Sequence, residues 1–103
     1  MLNNRRRRPT HPGEVLREEI LPEARLSQSE LARRLGVSRT VVGKLVNERG
    51  AVTPDLAHRL ARVFDTTPEL WLNLQQAVDV WETYVANRST YTKLKPLGDK
   101  RAA

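Results

Sequence analysis

The stretch QSELARRLGVSRTVVGKLVN at residues 28–47 restricts this chain more than any other. Ser27 precedes a run whose apolar positions, Leu31, Ala32 and Leu35, recur at helical spacing, and Glu30 stands three residues after it. A serine hydroxyl there takes an amide of the first helical turn while the glutamate reaches back to the serine amide, so the pair marks a helix start. Gly36 closes the run as a residue suited to left-handed backbone. Ser38 opens a second helix that carries Val42 and Leu45 to about Val46 or Asn47. The two helices turn within Leu35-Gly36-Val37-Ser38, which requires a small residue, Ala32, where they cross. Leu31, Leu35, Val37, Val42 and Leu45 close the core between them.

The same punctuation divides the rest of residues 11–85. A first helix begins near Pro12-Gly13, carries Val15, Leu16, Ile20 and Leu21, and is stopped by Pro22, which offers no amide and crowds the preceding turn. Thr53-Pro54 pairs a cap with a proline at the first helical position and opens a helix bearing Leu56, Ala57, Leu60, Ala61 and Phe64. Thr67-Pro68 repeats the signal for a fifth helix that reaches at least Tyr84. No segment sustains the alternation of a strand and no long repeat is visible, so the expected fold is all-α with five helices.

Geometry assigns the second helix of the corner two unlike faces. At about 100° per residue, with Arg39 at the origin, Gly43, Asn47, Thr40 and Lys44 fall within about 140°, and Val41, Val42, Leu45 and Val46 occupy the opposite side. The polar face carries donors and no acid. Arginine and lysine can bond guanine edges, threonine a thymine methyl or a phosphate, and asparagine an adenine, while Gly43 lets the helix approach closely. This is a helix-turn-helix with a reading helix for a major groove; an ordinary solvated surface is the plainer alternative. Charge agrees with a polyanionic partner. The 103 residues hold 18 Lys+Arg against 12 Asp+Glu, a formal net charge of +6 with a sequence pI near 10.5. Residues 1–10 contribute +4 and residues 85–103 another +4, whereas residues 54–84 carry −3.

Other classes fall away. The chain has no cysteine, so disulfide frameworks, cysteine metal sites and thiol nucleophiles are excluded. No apolar run approaches the ~20 residues that span a bilayer, and no signal-peptide stretch opens the chain, so a cytoplasmic location is expected. His11 and His58 lack partners at ligand spacing and read as surface or capping residues, Glu18 and Glu19 face different ways, and no glycine-rich phosphate loop appears. No enzyme activity, metal or cofactor is expected.

The segments HPGEVLREEIL at 11–21, LSQSELARRLGVSRTVVGKLVN at 26–47 and VTPDLAHRLARVFDTTPELWLNLQQAVDVWE at 52–82 together resemble the HigA/VapI family of antitoxins, within the lambda-repressor-like, Xre-type helix-turn-helix proteins. The resemblance implies a five-helix DNA-binding domain over residues 11–85; the charge runs add a basic flexible arm at 1–10 and a basic C-terminal tail at 86–103. It implies that Gln28 meets a DNA phosphate and that Ser38, Arg39, Thr40, Gly43, Lys44 and Asn47 are the DNA-facing positions. It further implies a homodimer on a palindromic operator, repression of the chain's own operon, and neutralisation of a HigB-like toxin resembling an RelE-type mRNA endonuclease. One departure stands out: family members often carry Asn-Gly after the reading helix, whereas here Asn47 is followed by Glu48 and glycine waits until Gly50. An acid there works against a phosphate, which puts the carry-over of backbone contacts onto residues 48–52 in question.

Two regions stay open. On the fifth helix, Leu70, Trp71, Leu74, Ala77, Val78, Trp81, Tyr84 and Val85 form the stripe expected to pack on the core, with Leu72 and Val80 outside it; Leu72, Val80 and part of Trp81 are the candidate dimer or partner surface. Arg5, Arg6, Arg7 and Arg8 are candidates for an arm along phosphates or in a minor groove, against a solvated tail or a toxin contact. Three readings therefore stand: a DNA-binding antitoxin, a stand-alone repressor, and an interaction module that only masks a partner.

Overall fold

The computed structural model describes residues 7–98 and, among these, five helical rods with no strand. The first rod, α1, is α-helical over Pro12–Val15, widens into a π-turn over Leu16–Ile20, and is α-helical again over Leu21–Ala24. Pro22 thus does not stop the helix, which ends only at Arg25 in left-handed backbone at φ 56°. In a regular helix proline lacks the amide its turn requires and crowds the carbonyl four residues back. Here the Leu21 amide already reaches five residues back to the Leu16 carbonyl, so the wide turn ends just before the proline, which then occupies a first-turn position needing no amide.

The next two rods, α2 (Gln28–Leu35) and α3 (Arg39–Val46), form the corner. Both arms of the capping box are present: the Glu30 amide donates to Ser27 Oγ at 3.1 Å and the Ser27 amide to Glu30 Oε1 at 3.0 Å. Gly36 takes φ 71°. Arg59, from α4 (Pro54–Phe64), clamps this corner by donating from Nη1 to the Leu35 carbonyl at 2.8 Å and the Gly36 carbonyl at 3.2 Å, while its Nε is held by Asp55 at 2.8 Å. Leu31, Leu35, Val42, Leu45, Leu56 and Leu60 fill the centre.

The last rod, α5, spans Pro68–Lys93 and so continues past residue 85. Trp71 is its anchor: 1% exposed, with its indole N–H on Thr66 Oγ1 at 2.8 Å and its ring 6.2 Å from that of Phe64. The packed face of α5 keeps Trp71, Leu74 and Val78 of the expected stripe but is turned from it toward Gln75. Trp71, Gln75 and Val78 are buried and Leu72 leans on the core, whereas Leu70 and Val85 are exposed. Gln75 explains the rotation. Its Oε1 takes the Val52 amide at 2.8 Å and its amide donates to Asp79 at 3.0 Å, so a polar side chain is satisfied inside and a count of apolar residues misplaces the face. Beyond Trp81 the rod leaves the core, with non-helical backbone at Asn87 and Tyr84 stacked on Tyr91 at 5.9 Å.

Helix α1 packs closely on α3 at Gly13, which is buried against the Leu45 carbonyl. Its start is fixed by His11, 2% exposed, whose Nδ1 accepts the Gly13 amide at 2.8 Å. Burial first, then the Arg8 charge, hold the imidazole below its ordinary pKa of 6.5, against the opposing pull of Glu48, Glu82 and Asp79. Above pH 6.5 folded and unfolded chains both carry neutral His11 and stability is full. Below it the unfolded chain binds a proton that the folded chain resists, so stability falls as pH drops from 6.5 toward the depressed folded value, with a limiting slope of about 1.4 kcal/mol per pH unit. His11→Asn keeps an acceptor at the cap and removes this titration. Urea unfolding from pH 7.5 to 5 is therefore expected to show a decline in the parent that flattens in the variant; parallel curves would place the proton-sensitive group elsewhere.

Candidate nucleic-acid interface

Helix α3 presents Arg39, Thr40, Lys44 and Asn47 to solvent, with Gly43 half-buried between them. No acid lies on the helix and none of its cations is in an ion pair among the described residues. Its buried side is Val42, Leu45 and Val46. Val41, expected among these, is 40% exposed, because it borders Lys44 at the edge of the apolar arc. It adds an aliphatic surface suited to a thymine methyl.

Ser38 is the N-cap, its Oγ accepting the Val41 amide at 3.2 Å. The hydroxyl keeps its proton to donate outward. Asn47 folds back, donating from Nδ2 to the Gly43 carbonyl at 2.9 Å. That leaves its amide oxygen and second N–H for another partner. Gln28, half-buried at the first position of α2, faces Gly43: a methyl group on that glycine would stand 3.9 Å from Gln28 Oε1. The fold thus gathers Gln28, Ser38, Arg39, Thr40, Gly43, Lys44 and Asn47 onto one surface made by the start of α2 and the outward side of α3.

The arm candidates divide. Arg5 and Arg6 lie outside the described residues, and Arg7 is exposed. Arg8 is held by two acids, with Nη1 2.6 Å from Glu48 and Nε 2.8 Å from Glu82. Of the partner-surface candidates, Leu72 packs on the core, Trp81 is half-buried, and Val80, 38% exposed, lines a shallow groove with Asp79, Thr83, Tyr84 and Tyr91.

The acid singled out after the reading helix proves to be the hub of a charge cluster that local sequence does not reveal. Glu48 takes Arg8 and also Arg17, whose Nη2 is 3.0 Å away. Arg17 in turn donates from Nη1 to the Val46 carbonyl at 2.6 Å and from Nε to Glu18 at 2.8 Å. Burial pushes the Glu48 carboxyl up, but the hydrogen bonds from Arg17 and Arg8 more than offset it, leaving the group below the usual range. Glu48 also sits in left-handed backbone at φ 61°. That conformation costs a side-chain-bearing residue about 1–2 kcal/mol.

Residues 16–71 match the helix-turn-helix family. A helix-turn-helix-type transcriptional regulator of Haemophilus influenzae is 47% identical over 76 residues, 74% of this chain and 71% of its own length. Antitoxin HigA-1 of Vibrio cholerae is 39% identical over 89% of this chain and 87% of its own. Among solved structures, the Pseudomonas aeruginosa antitoxin HigA with the higBA promoter superposes with a TM-score of 0.84 at 42% identity, covering 87% of this chain and 99% of that one.

Proposed function

We propose that this chain, which belongs to the HigA/VapI family of Xre-type helix-turn-helix antitoxins, binds the operator of its own operon as a homodimer and neutralises a HigB-like toxin. The single observation that carries the DNA half is the acid-free, solvent-facing side of α3, with Arg39, Thr40, Lys44 and Asn47 around a flat Gly43. Arg39 and Lys44 read guanine edges, Val41 and Thr40 meet thymine methyls, and Gln28 and Ser38 hold phosphates. A two-fold operator needs two such helices about one DNA turn, ~34 Å, apart. The exposed side of α5 around Val80, with Leu72 and Trp81 behind it, supplies the seam.

Titrating the chain with its own promoter fragment tests the DNA half. Six or more phosphate contacts should cost about 10³-fold in affinity between 50 and 200 mM salt. A flat response would leave only a partner-masking role. The toxin half is tested in cells by inducing the small reading frame beside this one, alone and with this chain. Relief of growth arrest, with co-purification of the two products, is the expected result. The 47% identical transcriptional regulator favours a second reading, a repressor without a toxin, and an arrest that this chain fails to relieve would support it.

A further inference from the structure

The Glu48 cluster has three features that stability alone does not account for. An acid stands directly after Asn47, at the end of a face otherwise free of negative charge. Its backbone is in the region glycine favours, at φ 61°, although the chain places glycine only two residues later. And its return is a set of partly exposed ion pairs, a class that stabilises a fold little. What the carboxylate does achieve is to occupy two guanidinium groups. Arg8 lies between Glu48 and Glu82, and Arg17 between Glu48 and Glu18 with the Val46 carbonyl beside it. The two arginines are thus engaged by three carboxylates at the end of the reading helix, while the adjacent Arg49 is left exposed and in no ion pair among the described residues.

We propose that Glu48 is a specificity-determining residue for DNA recognition: it withholds Arg8 and Arg17 from DNA phosphates. Phosphate contacts add affinity without sequence information, so each cation occupied beside the reading face lowers binding to random DNA more than it lowers discrimination. The departure from Asn-Gly is then a restraint on promiscuous binding. This inference rests on the operator-binding reading of α3 and deepens it.

Glu48→Gly removes the carboxylate and at the same time relieves the left-handed residue, so the variant keeps its fold. The probe is a random-sequence duplex, titrated with the full-length chain over a series of salt concentrations. The variant should bind it about tenfold tighter at low salt, with the log–log salt slope steeper by ~0.9 for each guanidinium released, up to ~1.8. Glu19→Gln removes the same charge from an exposed acid of α1 outside the cluster and should leave the slope nearly unchanged. Arg8→Ala should scarcely alter the slope in the parent and should reverse part of the steepening in the Glu48→Gly background. An unchanged slope in Glu48→Gly, an equal effect from Glu19→Gln, or no reversal by Arg8→Ala overturns the proposal. A parent chain that binds neither its promoter fragment nor the random duplex overturns the DNA reading itself, whereas a parent that binds and a variant that matches it overturns this inference alone.

Discussion

Gly13→Ala is expected to destabilise the domain by about 3 kcal/mol, as overpacking and the loss of a helix cap together would require. The added methyl group would overlap the Leu45 carbonyl oxygen and come within 2.9 Å of its carbon, and both atoms belong to helical backbone that has no rotamer to change. The methyl also lies 3.1 Å from His11 Nδ1, so the cap that starts α1 is strained by the same atom. Alanine's better helix propensity returns at most ~1 kcal/mol. For a domain of this size the net change lowers Tm by about 15 °C. Either α1 lifts from the reading helix or α3 is pushed outward, so promoter affinity should fall even where the chain stays folded. Thermal and urea unfolding measure the first effect and a promoter titration the second. A variant within 1 kcal/mol of the parent would mean that the α1–α3 contact is looser than described.

The double variant Arg39→Ala, Lys44→Ala should lose about 10²–10⁴-fold in affinity for the promoter fragment, since a good base contact discriminates by ~1–3 kcal/mol and two are removed. Both side chains are exposed and neither is in an ion pair among the described residues, so unfolding curves should overlay those of the parent. Random-duplex binding should fall less, because the phosphate contacts proposed for Gln28 and Ser38 would persist. Relief of toxin-induced arrest should survive, provided the toxin docks elsewhere on the chain. Unchanged promoter binding would move the reading face off α3. Loss of arrest relief with intact promoter binding would make this surface a partner site instead.

What could be read in advance was whatever is decided within four or five residues. Ser27 with Glu30, Gly36, Ser38, Thr53-Pro54 and Thr67-Pro68 all act locally, and the helices begin or end where they stand. The polar, solvent-facing side of α3 is legible for the same reason, since the helix is short and its faces follow from the helical period. The expected stop at Pro22 fails for a local reason, the π-turn that ends just before it; two other expectations fail where a distant group supplies the missing partner. Gln75 is buried with its Oε1 on the Val52 amide, 23 residues earlier, a partner that no local pattern on α5 reveals. Glu48 meets Arg8 across 40 residues and Arg17 across 31, so an acid that looked repulsive in sequence is neutralised in space. Val41 was misjudged for a smaller reason, a position on the border between two arcs.

The π-turn of α1 shifts the phase of everything after it. In a regular helix, residues five apart point about 140° away from each other, so Leu16 and Leu21 could not both face one core. Here they are 0% and 8% exposed, because the wide turn absorbs the excess angle. The rod therefore carries two apolar stripes in sequence, offset by one residue, and no single period describes both. A chain one residue shorter between Arg17 and Glu19 would set the two leucines four apart, about 40° from each other in a regular helix, and both would face the interior without a wide turn. The irregularity lets the rod hold one residue more than a regular helix would between two side chains that share the interior.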